Sequence, residues 1–213
     1  MKTPPVYGFA RWLGKIFIIR TYRPKIYGER HIPKKSGVII ASNHSSNMDG
    51  PLLYVVVPRV VSFLAKKELF KGPFLTWLFK GLGQIPIARG KGDAGALDEA
   101  LNHLEHGGII GIFPEGTTSP NGKIMKGRTG VARLHLRSRI PVIPVAIIGT
   151  YKAMPKGTFF PKKSALRINV GKPVCFVEHF DTEGENMAVN RKVTDSIMNA
   201  IGELMKIEAD DEH

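Results

Sequence analysis

The chain has 213 residues, one cysteine and a formal net charge of +13. That length suits one fully cored domain, and a lone cysteine excludes both an intrachain disulfide and a cysteine-based zinc site. At 43% hydrophobic and 23% charged residues, the composition is that of a globular chain rather than a disordered one. The charge is uneven: residues 1–40 hold nine basic residues and one acid, residues 41–175 nineteen and seven, and residues 176–213 three and ten. A basic body with an acidic tail points to an anionic partner, whether nucleic acid, an anionic membrane surface or a phosphorylated substrate. No stretch approaches the ~20 apolar residues of a bilayer span, and Arg11, Lys15 and Arg20 interrupt any leader-like apolar run. The expectation is a chain on the cytoplasmic side without a transmembrane anchor.

In chain order, residues 6–20 place Phe9, Trp12, Leu13, Ile16 and Phe17 at helical spacing among basic residues. This reads either as an interfacial membrane helix or as a terminal helix docked on its own domain. Val38–Ser42 reads as a buried strand, Pro51–Val57 as a helix and Val60–Ala65 as a strand. Glu68–Lys80 reads as a helix and Gln84–Ala88 as a strand. The apolar segment from Leu69 to Leu82, set among Lys66, Lys67, Lys71 and Lys80, reads as a core helix or as a surface for the bilayer or an acyl chain. Asp93–His106 is an amphipathic helix with Asp93 as its cap. Ile109–Phe113 is a strand, Thr129–Ser138 a helix and Val142–Ile148 a strand. Leu166–Val170 and Val174–Val177 suggest a β-hairpin, which places Cys175 in a buried strand. The last helix spans about Ala188 to Ile207. This alternation predicts an α/β fold: a largely parallel central sheet with helices on both faces, plus an N-terminal basic amphipathic helix. The expected division is residues 1–26 as an amphipathic, membrane-associating segment and residues 27–213 as one further domain.

In such sheets sites form beyond the carboxyl ends of strands. After the first buried strand stands Asn43-His44-Ser45-Ser46-Asn47-Met48-Asp49. His44 and Asp49 are too far around a helix to share a face, but in a strand-to-helix turn they can meet. They read as a His–Asp general-base dyad, or as a polar loop histidine beside a capping aspartate. The next strand end carries Arg89 before Gly90, suited to a phosphate or carboxylate, or else a solvated basic loop. The third presents Phe113-Pro114-Glu115-Gly116-Thr117, where Gly116 admits close backbone approach and Glu115 can accept hydrogen bonds. Arg128, in Lys126-Gly127-Arg128-Thr129-Gly130 at a helix start, is a further anion candidate. None of these is a P-loop. The remaining histidines show no metal-ligand spacing, and Lys156, Lys162 and Lys163 read as a solvated loop, with a smaller claim to meet an anionic acyl donor.

The ordered blocks Asn43-His44-x-Ser46-x-x-Asp49, Lys67-Glu68-Leu69-Phe70…Pro73…Gly83-x-Ile85-Pro86-Ile87-x-Arg89, Phe113–Thr117 and Ile140–Val145 resemble the four motifs of the glycerolipid acyltransferases. The nearest branch is the lysophosphatidate one, and the resemblance spans about residues 27–150. The family often has Arg after its Glu-Gly-Thr, where this chain has Thr118, and its Phe-Lys-x-Gly lysine corresponds to Arg128. The resemblance implies acyl transfer from acyl-CoA or acyl-carrier protein to 1-acylglycerol-3-phosphate, giving phosphatidic acid. It implies His44 as base and Asp49 as its orienter. Arg89 and Arg128 would hold the phosphate, with Glu115, Gly116 and Thr117 shaping that pocket. No cofactor or metal is implied. The partners are the acyl donor, lysophosphatidate and an anionic membrane surface, not nucleic acid, at the cytoplasmic face of the cell membrane. The alternatives are another lysophospholipid or an acyl-sugar as acceptor, or a non-catalytic basic binding protein.

Overall fold

The computed structural model describes residues 5–66, 70–87, 94–158, 160–182 and 184–207. Among these residues seven strands form one sheet: β1 (Lys25–Tyr27), β2 (Val38–Ser42), β3 (Val61–Lys66), β4 (Ile85–Ile87), β5 (Ile109–Ile112), β6 (Val142–Ile148) and β7 (Arg167–Val170). Their spatial order is β1-β7-β6-β2-β5-β3-β4. The five strands from β6 to β4 run parallel, while β7 pairs antiparallel with β6 and parallel with β1. Around them lie α1 (Pro5–Tyr22), α2 (Asp49–Val56), α3 (Gly72–Gly81), α4 (Ala94–Glu105), α5 (Gly130–Ser138), α6 (Thr150–Ala153) and α7 (Met187–Lys206). The expected architecture, a largely parallel sheet covered on both faces with an N-terminal helix, is the observed one.

The two faces follow from strand alternation. Val38 and Ile40 of β2 point into a core shared with Ile18 and Tyr22 of α1 and Leu52, Leu53 and Val56 of α2. Ile39 and Ala41 point the other way, against Leu104 of α4, Leu134 of α5 and Ile197 of α7. Every residue of β2 is buried, as a parallel strand covered on both faces requires.

α1 is docked on the domain, and its aromatic stripe faces outward. It docks through Tyr7, Ile18 and Tyr22, and Phe9, Trp12, Leu13, Ile16 and Phe17 remain exposed. The Tyr7 hydroxyl accepts the N–H of Val61 at the start of β3 and donates to the carbonyl of Arg59, at 3.1 and 3.3 Å. α3 touches α1, and it too leaves Phe74 and Trp77 uncovered.

Two expectations are corrected. Residues 174–177 form no hairpin with β7, because β6 and β1 already occupy both of its edges; Val174 makes a single antiparallel bridge to Val142 instead. Cys175 is accordingly exposed and not in the core. The proposed Asp93 cap lies outside the described residues.

Candidate active site

β5, β2 and β6 are adjacent and parallel, so the segments following them emerge at one edge of the sheet. Where β2 ends, Asn43 continues the ladder with its side chain. Its amide donates to the carbonyl of Ile147 at 2.9 Å and accepts the N–H of the same residue at 2.8 Å. Both bonds are buried, which fixes where the chain turns into His44.

Asp49 opens α2, and its carboxylate turns back onto the preceding loop. Oδ2 accepts from Nδ1 of His44 at 3.0 Å and from the backbone N–H groups of Ser45 and Ser46 at 2.7 and 2.8 Å. Asp49 is wholly buried. Three donors converge on one oxygen, so the carboxylate acts as acceptor and Nδ1 of His44 carries a proton. Nε2 is then left with its lone pair. Asp49 does not serve as a side-chain cap for α2, whose cap position is Met48.

The loop is tied on its far side as well. Ser45 Oγ lies 3.0 Å from Thr150 Oγ1, and Ser46 Oγ donates to the carbonyl of Met154 at 2.8 Å. The ring of Phe113 stacks on the His44 imidazole, with centroids 4.2 Å apart and planes at 18°. An aromatic face against the imidazole holds its plane. Phe113 in turn stacks on Phe63, which meets Tyr54, which meets Tyr7 of α1, with successive centroids 5.3–5.5 Å apart.

Glu115 is buried beneath His44. Oε1 accepts the backbone N–H of His44 at 2.8 Å, and Oε2 that of Met125 at 3.1 Å. Burial pushes its carboxyl above the ordinary carboxylate range, opposed by those two backbone bonds. Both oxygens are therefore engaged inside the chain. Gly116 and Thr117 are exposed at the rim. Gly116 has φ +72, and a Cβ there would lie 2.8 Å from Nε of Arg128. The Arg128 side chain thus crosses directly over Gly116. Its backbone N–H donates to the carbonyl of Pro114 at 2.7 Å, and among the described residues no carboxylate pairs with its guanidinium. From behind, Arg191 of α7 donates to the carbonyl of Gly127 at 2.7 Å.

The structure thus brings His44, Asp49, Glu115, Gly116 and Arg128 to one edge, while Arg89 lies outside the described residues. From sequence, Thr150 has no place in this site, Asn43 figures only as part of a motif, and Thr118 only as the position where the family often has Arg. Thr118 Oγ1 lies 3.1 Å from Nε2 of His44. Lys156 is exposed, as a solvated loop residue should be, and its ammonium lies 3.5 Å from the carbonyl of Thr118.

The acyltransferase family profile matches residues 23–148. A 1-acyl-sn-glycerol-3-phosphate acyltransferase of Bacillus subtilis is 29% identical over 171 residues, covering 79% of this chain and 82% of that protein. One from Borreliella burgdorferi is 32% identical over 181 residues, covering 83% of this chain and 69% of that protein. Among solved structures, the 1-acyl-sn-glycerophosphate acyltransferase of Thermotoga maritima superposes with a TM-score of 0.74 at 27% identity, covering 95% of this chain and 81% of that one.

Proposed function

From this chain's membership of the glycerolipid acyltransferase family, in its 1-acylglycerol-3-phosphate branch, we propose that it moves a fatty acyl group from a thioester to the free hydroxyl of 1-acylglycerol-3-phosphate, giving phosphatidic acid. The donor is acyl-CoA or acyl-carrier protein. The observation that carries the mechanism is the 3.0 Å contact of His44 Nδ1 with a fully buried Asp49, which leaves Nε2 as a base.

In this mechanism Nε2 takes the proton of the acceptor hydroxyl as its oxygen bonds to the thioester carbonyl carbon. The tetrahedral intermediate collapses with cleavage of the C–S bond, and the departing thiolate recovers the proton from the imidazolium. Asp49 stabilises that imidazolium while it lasts. No acyl-enzyme is required, because the thioester is already activated. Arg128 holds the acceptor phosphate from the rim as a planar two-pronged donor, and Arg89 is proposed as its companion. Glu115 acts through His44 and Met125, fixing the loops rather than meeting substrate.

No helix among the described residues is long and apolar enough to cross a membrane. The uncovered rings of Phe9, Trp12, Phe17, Phe74 and Trp77 stand on two touching helices with Arg11, Lys15, Arg20, Lys71 and Lys80. This combination supports peripheral binding to anionic lipid at the cytoplasmic face of the cell membrane. Each well-placed basic residue contributes about 1 kcal/mol, and each aromatic ring adds apolar burial.

The test is thiol release from acyl-coenzyme A with a panel of acceptors: lysophosphatidate, other lysophospholipids and acyl-sugars. Release that depends on lysophosphatidate and vanishes in a folded His44→Ala protein is the expected result. Undiminished transfer by His44→Ala would overturn the mechanism, and preference for another acceptor would overturn the substrate.

A further inference from the structure

Thr118 occupies the one atom of His44 on which the proposed chemistry turns. Nδ1–H is committed to Asp49, so Nε2 is an acceptor and the Thr118 hydroxyl, 3.1 Å away, is the donor. The contact is held on several sides. Thr118 is buried, the N–H of Ser119 donates to the carbonyl of His44 at 2.8 Å, and Lys156 reaches the Thr118 carbonyl. The side-chain contact of Thr118 and the backbone bond of its neighbour Ser119 together hold this segment against His44. The Thr118 hydroxyl fills the place from which a substrate hydroxyl would give up its proton.

We propose that Thr118 is a positioning residue that covers Nε2 of His44 between turnovers and keeps water from it, so that the thioester is passed to the acceptor rather than hydrolysed. The proposal rests on the reading of His44 as base. The side reaction it suppresses needs no co-reactant beyond water. Water gives a proton to Nε2 as its oxygen bonds to the thioester carbonyl carbon, and the C–S bond breaks. The thiolate then takes the proton from the imidazolium, leaving a fatty acid and a free thiol. A lysophosphatidate hydroxyl differs from water in being tethered through its phosphate. It therefore displaces the Thr118 hydroxyl by an intramolecular advantage that water lacks.

The experiment uses the full chain with palmitoyl-coenzyme A, measuring thiol release with and without lysophosphatidate. Thr118→Ala opens room for a water at Nε2. Acceptor-independent release is expected to rise roughly tenfold, well inside the ~10²–10⁴ that a positioned general base supplies, while transfer falls by less. Thr118→Val fills the same volume without a hydroxyl and should keep hydrolysis near the native rate, and Thr118→Ser should match the native protein in both. The added hydrolysis should disappear in Thr118→Ala combined with His44→Ala. A purely structural role would lower hydrolysis and transfer together. An unchanged hydrolysis-to-transfer ratio in Thr118→Ala would overturn the proposal. Loss of transfer in Thr118→Val as complete as in His44→Ala would do the same, because it would make the hydroxyl a proton relay. Independently of turnover, carbethoxylation of the His44 peptide by diethyl pyrocarbonate should quicken severalfold in Thr118→Ala, and an unchanged rate counts against the contact. Failure of the base reading is seen in His44→Ala alone, so the two failures are separable.

Discussion

Glu115 lies under His44 and accepts its backbone N–H at 2.8 Å, while its second oxygen accepts the N–H of Met125 at 3.1 Å. One buried carboxylate thereby sets the height of the proposed base and closes the loop that carries Arg128. Glu115→Gln keeps one acceptor and turns an NH2 group against the other N–H. Stability should fall by about 1–3 kcal/mol for the unsatisfied buried group. Turnover should fall toward about a hundredfold, the scale of a ~1 Å misplacement. Chemical denaturation and steady-state thiol release measure the two effects.

Asp49→Asn retains an acceptor for His44 Nδ1 but removes the negative charge opposite the imidazolium. Turnover should drop by about 10²–10⁴, with stability reduced because three donors share the replaced oxygen. Native turnover in this variant would show that the carboxylate's charge contributes nothing to the reaction.

Arg128→Ala should raise the KM for lysophosphatidate about tenfold or more, the value of one charge-assisted hydrogen bond being about 1.5–3 kcal/mol. Gly116→Ala should raise it too, because the new Cβ at φ +72 meets the guanidinium stem. The left-handed backbone adds about 1–2 kcal/mol of strain. Since both substitutions act on one side chain, the double variant should resemble Arg128→Ala alone. Additive effects would show that Gly116 acts by another route.

His135 contributes to the pH dependence of stability. It is wholly buried in α5, donates from Nδ1 to the carbonyl of Ile140 at 2.7 Å and accepts the N–H of Phe176 at Nε2 at 3.1 Å. Burial depresses its pKa below the ordinary histidine value. The unfolded chain therefore binds a proton that the folded chain refuses. This contribution is absent above the unfolded value and erodes stability as pH falls below about 6.5 toward the depressed folded value. The thermal midpoint should fall between pH 7.5 and 5.5. His135→Gln, less stable at neutral pH by about 1–3 kcal/mol, should show a shallower slope. An unchanged slope would assign the acid sensitivity elsewhere.

Replacing Trp12 and Trp77, 58% and 59% exposed, by Ser should leave the melting curve in place. It should weaken flotation with phosphatidylglycerol vesicles, since burying one large ring contributes about 1.5–3 kcal/mol. Raised salt should weaken binding further through the basic residues beside them. Unaltered flotation at low and high salt would remove α1 and α3 from the contact.

Much of the architecture was legible in the sequence because β2 and β6 are short apolar runs bounded by clear turns, and both fall where the pattern places them. The His44–Asp49 turn and the Phe113–Thr117 turn stood out as polar residues at the ends of such runs. β1 did not, being three residues with an exposed pattern that gain strand form only by pairing with β7, some 140 residues later. The run Val174–Val177 misled through its composition. Phe176 turns inward onto His135, but with both edges of β7 occupied its neighbours Cys175 and Val177 face solvent. Thr118 and Asn43 act across 74 and 104 residues, and no local periodicity reports such contacts. The available signals were positional: Asn43 stands at a buried strand's end directly before the histidine, and Thr118 directly follows the Glu-Gly-Thr turn.

The file of rings from Tyr7 through Tyr54, Phe63 and Phe113 to His44 bears on how the protein is handled. Deleting the first helix to obtain an easily purified fragment removes more than its exposed aromatic stripe. It strips the outermost ring from the file and leaves the N–H of Val61 without its acceptor at the start of the strand that carries Phe63. Such a fragment would be a poor proxy for the enzyme, because the helix with the exposed stripe also holds the far end of the stack that packs on His44.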